Sequence, residues 1–215
     1  MGVGTITLHN NDTANFNVYS IKELQVIIDH CVKYPLITQK HSDFLLFKQA
    51  FEIIQRGDHL TEKGLLEIVG LKSALNLGLS EKLRAAFLNF VSITRPAFKF
   101  NGIPDPFWIS GFVSGDSTFC VSIEKSINQI GRVRLIFGTC LHIRDKALLI
   151  GIANYFNLLE VSKQSAVESN SKYIYDSTKR ETSLLQIRNY SDIVNKIIPF
   201  FNEYPILGVK RLDFV

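Results

Sequence analysis

Asp105-Pro106-Phe107-Trp108-Ile109-Ser110-Gly111-Phe112-Val113-Ser114-Gly115-Asp116-Ser117 combines a capped apolar helix, two interleaved pairs of small residues and a terminal acid in one run. Asp105 caps free backbone amides and Pro106 supplies a ready-made first turn, so a helix is expected from about Phe107. Ser110 with Ser114, and Gly111 with Gly115, place side chains of almost no bulk at i and i+4. These four are the candidate helix interface, where a second helix approaches nearly backbone to backbone. Asp116 then falls where two helix ends meet. A carboxylate there faces the negative end of the helix dipole, which is unfavourable unless a cation is bound or the chain has turned away. Two such acids side by side make a site for a hard divalent ion.

After Asp116 the hydrophobic period changes to two. Phe119, Val121 and Ile123 alternate with Thr118, Cys120, Ser122 and Glu124, and Val133, Leu135 and Phe137 alternate with Arg132, Arg134 and Ile136. These are half-buried strands, joined by a turn at Asn128 to Gly131. A second pair, near Tyr173 to Tyr175 and Leu184 to Arg188, sets Leu185 and Ile187 against Gln186 and Arg188. The polar face gathers Ser122, Glu124, Arg132, Arg134, Gln186 and Arg188. Arg bridges guanine, Gln bridges adenine and Glu accepts from cytosine, so a twisted ribbon bearing them can read a major groove. The plain alternative is the solvated face that antiparallel sheets usually have.

Outward from these strands, the chain repeats itself. Lys33-Tyr34-Pro35-Leu36, with Lys40, Asp43 and Phe44, matches Glu203-Tyr204-Pro205-Ile206, with Lys210, Asp213 and Phe214, 170 residues later. An amphipathic helix precedes each Tyr-Pro: Leu24, Ile27, Ile28 and Cys31 in the first copy, and Val194, Ile197, Ile198 and Phe201 in the second. Ser20 and Glu23 form a capping box at the start of the first. Upstream lie strand-like runs Val3 to His9 and Asn15 to Tyr19 around a turn at Asn10-Asn11-Asp12. Helices follow from Asp43 to Gln55, Thr61 to about Leu75 and Ser80 to about Phe87. The organisation read from this is residues 1–88, the later part of a first repeat with extra helices; 89–106, an ordered linker; and 107–215, a second repeat. By the repeat spacing, the first copy lacks its small-residue helix and the second its last helix, so the chain is expected to be truncated at both ends.

With 46% apolar residues the 215-residue chain can bury a core, and no apolar run approaches the roughly 20 residues that span a bilayer, so no membrane partner is expected. Cys31, Cys120 and Cys140 are isolated, without zinc-ligand spacing, which points to a reducing compartment. The net charge of +4 permits a polyanionic partner without requiring one. His30, His41 and His142 have no partner at ligand spacing; His142 opens a helix to Tyr155 with Leu148, Ile152, Tyr155 and Phe156 as core. Gly2-Val3-Gly4 is a strand start rather than a phosphate loop.

Ile109 to Ser117 resembles the nine-residue motif of the LAGLIDADG homing endonucleases. The resemblance extends through Phe137, His142-Ile143-Arg144-Asp145, Tyr155-Phe156, Ser191-Asp192-Ile193, Ile197-Ile198-Pro199-Phe200 and Tyr204-Pro205 to the single-chain, intron-encoded fungal mitochondrial branch. It implies an α/β (α+β) architecture: the αββαββα half-fold with helices on one face of a curved antiparallel sheet, one copy nearly complete and one partial. It implies a site-specific endonuclease of double-stranded DNA, monomeric when full-length and working in the mitochondrial matrix. Asp116 becomes the Mg²⁺-binding and catalytic acid, and Lys22 the first-half basic residue near the site, with no clear second-half match. Lys163, Lys172, Lys179 and Arg180 become phosphate contacts. Two positions depart from the family: Ser117 replaces the glycine that closes the motif, where a Cβ is expected to be strained, and Leu141 stands where relatives often have Gln. The resemblance leaves open a maturase that binds intron RNA, and an inactive remnant.

Overall fold

The computed structural model describes residues 2–9, 13–125, 131–159 and 172–214. It contains two compact units, Met1–Lys99 and Phe100–Val215.

The first unit opens with an antiparallel hairpin, β1 (Thr5–His9) and β2 (Thr13–Asn17), followed by α1 (Ile21–Lys33), α2 (Lys40–Gln55), a 3-10 turn (Asp58–Leu60), α3 (Glu62–Ala74) and α4 (Glu81–Ala86). The first strand starts two residues later than its apolar pattern suggests because Gly2 and Gly4 have φ of 69° and 79°, a left-handed conformation that interrupts extended backbone. Strand β2 likewise runs two residues ahead of the expected Asn15 to Tyr19; the turn expected at Asn10-Asn11-Asp12 lies outside the described residues. Thr61 and Ser80 cap α3 and α4 by accepting from Gly64 and Leu83 amides. Ser20 occupies the cap position of α1 in extended backbone, but its side chain makes no capping bond, so the capping box is not formed. The core is Leu46, Ile53 and Leu71, flanked by Ile68, Ala74 and Ile93. The connector packs onto this core. The Val91 carbonyl lies so close to Gly70 on α3 that any Cβ there would collide with it. The Arg95 guanidinium bonds Asp43 and the carbonyls of Ala74 (3.2 Å) and Gln39 (3.1 Å).

The second unit runs α5 (Pro106–Asp116), β3 (Ser117–Glu124), β4 (Arg132–His142), a 3-10 turn (Ile143–Asp145), α6 (Lys146–Tyr155), β5 (Ile174–Ser177) and β6 (Thr182–Ile187). A continuous helix closes the series: α7 (Tyr190–Asp192), a π-helical stretch (Ile193–Ile197) and α8 (Ile198–Glu203), with the short α9 (Arg211–Phe214) after it. This is the αββαββα order. The sheet is antiparallel throughout, in the order β3-β4-β6-β5. Phe137, Leu185 and Ile187 are buried on one face together with Leu148, Leu149 and Ile152 of α6 and Phe201 of α8. Two expectations fail at the margins of this core. Val121, Ile123 and Val133 are 60%, 74% and 62% exposed, because the outer end of the β3–β4 hairpin runs beyond the buried layer. Tyr155 is exposed rather than core, although its ring still touches Phe156 and Phe200. The turn expected at Asn128 to Gly131 falls almost wholly outside the described residues.

Candidate functional site

Helix α5 begins as its sequence directs, with Asp105 accepting from the Phe107 amide at 2.8 Å and Pro106 in the first turn. Ile109 and Val113 are fully buried. The two small-residue pairs then part company. Ser110 donates to the Tyr204 carbonyl at 2.7 Å; Ser114 donates to the Ser110 carbonyl at 2.7 Å and accepts from the Leu207 amide at 3.2 Å. The serines therefore bind the helix to the Tyr204–Leu207 segment of its own unit. Gly111 and Gly115 are exposed, and a Cβ added at either would meet nothing within 4 Å. They leave a stripe of open backbone along the other side.

Asp116 is the last residue of α5, its side chain exposed, and Ser117 starts β3 directly. Three consecutive carbonyls at this helix end have partners. The Lys210 ammonium donates to Gly115 (3.4 Å) and to Ser117, while Thr139 Oγ1 donates to Asp116 at 2.9 Å. A cation at the negative end of the dipole offsets the repulsion that Asp116 would otherwise meet there. Lys210 is the site residue that sequence reasoning missed, although the repeat pairs it with Lys40. It is half-buried, two residues past Gly208, whose φ of 76° turns the chain back toward α5.

The Ser117 backbone corrects a second expectation. With φ −117° and ψ 168° it is extended and accommodates a Cβ without strain. Its cost is elsewhere: the residue is 2% exposed and, among the described residues, its hydroxyl has no hydrogen-bond partner. Leu141 pairs with the buried Ser183 and offers only hydrocarbon where Gln would offer oxygen.

Strand register brings the predicted polar face together. Ser122 lies opposite Arg134, Glu124 opposite Arg132, and Gln186 opposite Gly138. Arg134 and Glu124 form an ion pair at 2.7 Å, which holds that guanidinium in place on the strand. Arg132 and Arg188 are exposed, and Leu185 and Ile187 point to the core as expected. Cys120, which the strand alternation already set beside Ser122, and Cys140 are exposed members of the same face. Lys179 and Arg180 are exposed in the β5–β6 turn, and Lys172 is exposed beside β5 with its ammonium 5.4 Å from the Tyr173 ring. Lys163 lies outside the described residues. Lys22 is exposed on α1, in the other unit.

The edge strand is anchored by two clusters. Tyr173 donates to Asp192 at 2.6 Å, and burial followed by that bond pushes its phenol up to about 12. Burial raises the Asp192 carboxyl, but bonds from Tyr173 and Lys196 outweigh it and hold the acid below its ordinary range. Lys146 and Ser183 bond Asp176 at 2.6 and 2.8 Å and lower its pKa. A cleft of about 260 Å³ between Phe119, Leu135, Ile197 and Phe214 is lined mostly by hydrocarbon and does not include Asp116.

A divalent metal at Asp116 passes the test of donor chemistry in one respect. The residue supplies an exposed hard oxygen, and Mg²⁺ is commonly held by one or two carboxylates with water and substrate phosphate completing its shell. Among the described residues no group of three or more His, Cys, Asp or Glu could enclose an ion by itself.

A family model described as LAGLIDADG endonuclease matches residues 1–51 and 109–215. The chain is 37% identical over 217 residues to "Probable intron-encoded endonuclease 3" of Neurospora crassa, using all of this chain but 38% of that protein. It thus spans less than half the length of this curated relative. Among solved structures, the LAGLIDADG meganuclease I-CpaMI bound to uncleaved DNA superimposes with a TM-score of 0.88 at 44% identity, over 99% of this chain and 70% of that one. I-SmaMI bound to an uncleaved DNA target in the presence of calcium ions gives a TM-score of 0.88 at 36% identity, over 99% and 69%.

Proposed function

The chain belongs to the LAGLIDADG endonuclease family, and on that premise we propose that it serves a site-specific endonuclease of intron homing that hydrolyses one phosphodiester in each strand of a DNA duplex. The observation that carries this reading is the exposed Asp116 carboxylate at the end of α5, a helix end whose Gly115 carbonyl accepts from the Lys210 ammonium, with strand β3 beginning one residue later. Asp116 would hold Mg²⁺, which would supply Lewis-acid polarisation of a phosphate and a more acidic bound water. Lys210 fixes the helix end and places a positive charge next to the site. Ser122, Glu124, Arg132, Arg134, Gln186 and Arg188 read bases in the major groove. Lys163, Lys172, Lys179 and Arg180 hold phosphates. The open stripe at Gly111 and Gly115 receives a second motif helix carrying the other acid, within a single polypeptide, and the work is done in the mitochondrion.

The test is a cleavage assay on the chain with a family first-repeat segment fused upstream of Met1, using duplexes selected for binding. Mg²⁺-dependent double-strand cleavage is expected, abolished by Asp116→Asn with duplex binding retained. Cleavage indifferent to Asp116→Asn rejects the site. Preference for structured intron RNA over duplex DNA replaces the endonuclease reading with the maturase one.

A further inference from the structure

The two Tyr-Pro segments bring their lysines into place by different means. In the second copy Tyr204 and Leu207 are bonded to the motif helix through Ser110 and Ser114. Gly208, with its φ of 76°, then turns the chain so that the Lys210 ammonium meets the carbonyls of Gly115 and Ser117. Position for position, 170 residues earlier, Gly208 becomes Thr38, Lys210 becomes Lys40 and Asp213 becomes Asp43. A threonine would be strained at that φ, and Thr38 does not adopt it: among the described residues the non-glycines with positive φ are Asn157 and Glu181. The first copy uses other groups. Thr38 Oγ1 accepts from the Lys40 amide at 3.3 Å. The half-buried Arg95 guanidinium grips the chain on both sides of Lys40, donating to the Gln39 carbonyl at 3.1 Å and to the Asp43 carboxylate. It also donates to the Ala74 carbonyl at the end of α3, at 3.2 Å. A planar guanidinium serves three acceptors at fixed angles, which an ammonium on a flexible stem does not. Lys40 itself is exposed.

We propose that Arg95 is a positioning residue for Lys40, the first-repeat counterpart of Lys210, and does from the connector what Gly208 and the two serine bonds do in the second copy. Arg95 lies outside the residues that the family model matches. The first half of the cleavage site then depends on the connector between the repeats, and the second half on its own glycine turn. This rests on the endonuclease reading above.

The experiment has two readouts. In the 215-residue chain, the His41 and Ser42 amides bond the Thr38 and Gln39 carbonyls, and Arg95→Met should speed their hydrogen exchange by about tenfold while Arg211 and Leu212 are unchanged. In the same chain with the first-repeat segment fused upstream, cleavage of each strand of a separately labelled duplex is timed. Arg95→Met should slow one strand by about tenfold at unchanged duplex affinity, so that nicked duplex accumulates. Lys40→Met should slow the same strand, and adding Arg95→Met to it should change nothing more, because both act through one ammonium. Arg95→Lys keeps the charge and gives up the fork; it should give an intermediate rate for that strand, and it serves in place of Arg95→Met if melting shows the latter to be unfolded. Unchanged exchange at His41 and Ser42, equal slowing of both strands, or further slowing of Lys40→Met by Arg95→Met would overturn the inference. So would an unchanged rate for either single Met variant. If the fused protein cuts no duplex, or cuts it regardless of Asp116→Asn, the endonuclease reading falls and this inference with it.

Discussion

Helix α1 and the helix from α7 through α8 end in the same Tyr-Pro and carry the same apolar spacing, yet they are buried very differently. In α1 only Ile28 is buried, Leu24, Ile27 and Cys31 are half-covered, and Val26 is 37% exposed. In the second copy Ile197 and Phe201, the matches of Ile27 and Cys31, are buried, as are Ile193 and Phe200, while Val194 and Ile198 are half-covered. The Phe201 ring is 5.7 Å from Phe119, 5.9 Å from Phe137 and 5.8 Å from Phe214, over a four-stranded sheet. The first copy has a two-stranded hairpin whose Ile6, Leu8 and Phe16 are themselves exposed, and α1 reaches α2 through the Gln55–Gln25 bond at 3.2 Å. An amphipathic stripe states a need for a partner but does not supply one, and most helical stability comes from that packing.

The contrast breaks most visibly by truncating the two residues that the repeat superimposes. Phe201→Ala should cost about 3 to 5 kcal/mol, whereas Cys31→Ala should cost less than about 1 kcal/mol, both from urea denaturation. Similar losses would mean that the two helices are equally packed. Next in size is the polar clasp at Asp43, which the repeat-related Asp213 does not form among the described residues. Asp43 binds Arg95, while its counterpart Asp213 is exposed. Arg95→Ala should destabilise the chain by about 1.5 to 3 kcal/mol by removing charged hydrogen bonds, and Asp213→Ala by under about 0.5 kcal/mol.

Ser117 sharpens the comparison from the other side, since it places a buried unpartnered hydroxyl in the otherwise better-packed unit. Ser117→Ala should raise stability by about 1 kcal/mol, visible as a higher Tm; a lower Tm would mean that the hydroxyl is bonded. Smallest of all is the surface cluster of Lys146 and Asp176. Bonds from Lys146 and Ser183 lower the Asp176 pKa below its ordinary 3.8, so the cluster stabilises the fold above that value and the contribution is lost as pH falls through the lowered one. Lys146→Ala should cost about 0.5 kcal/mol at pH 7 and almost nothing once the pH has fallen through the lowered Asp176 pKa. A cost independent of pH would assign the loss to packing of the lysine stem.

Much of the candidate site was legible because it lies on regular elements. The Asp105 cap, the Ile109–Val113 spine and the parity that sets Gln186 apart from Leu185 follow from helix and strand periods alone. Lys210 was not legible as a site residue, since its ammonium reaches the α5 end only through the Gly208 turn, some ninety residues after Asp116. Nor was the division of labour among Ser110, Gly111, Ser114 and Gly115, which periodicity treats as one small-residue surface.

By itself, then, the sequence determined the order of helices and strands, the capped motif helix ending in Asp116, the αββαββα unit and which strand faces are polar, because these depend on residues within a turn or two of each other. Tertiary structure alone decided which of two similar helices is buried, where the hairpin leaves the core, that Ser117 is unstrained and that Lys210 meets the motif helix. Those outcomes depend on surfaces that meet across many intervening residues, and no local period encodes which surface will be there to meet.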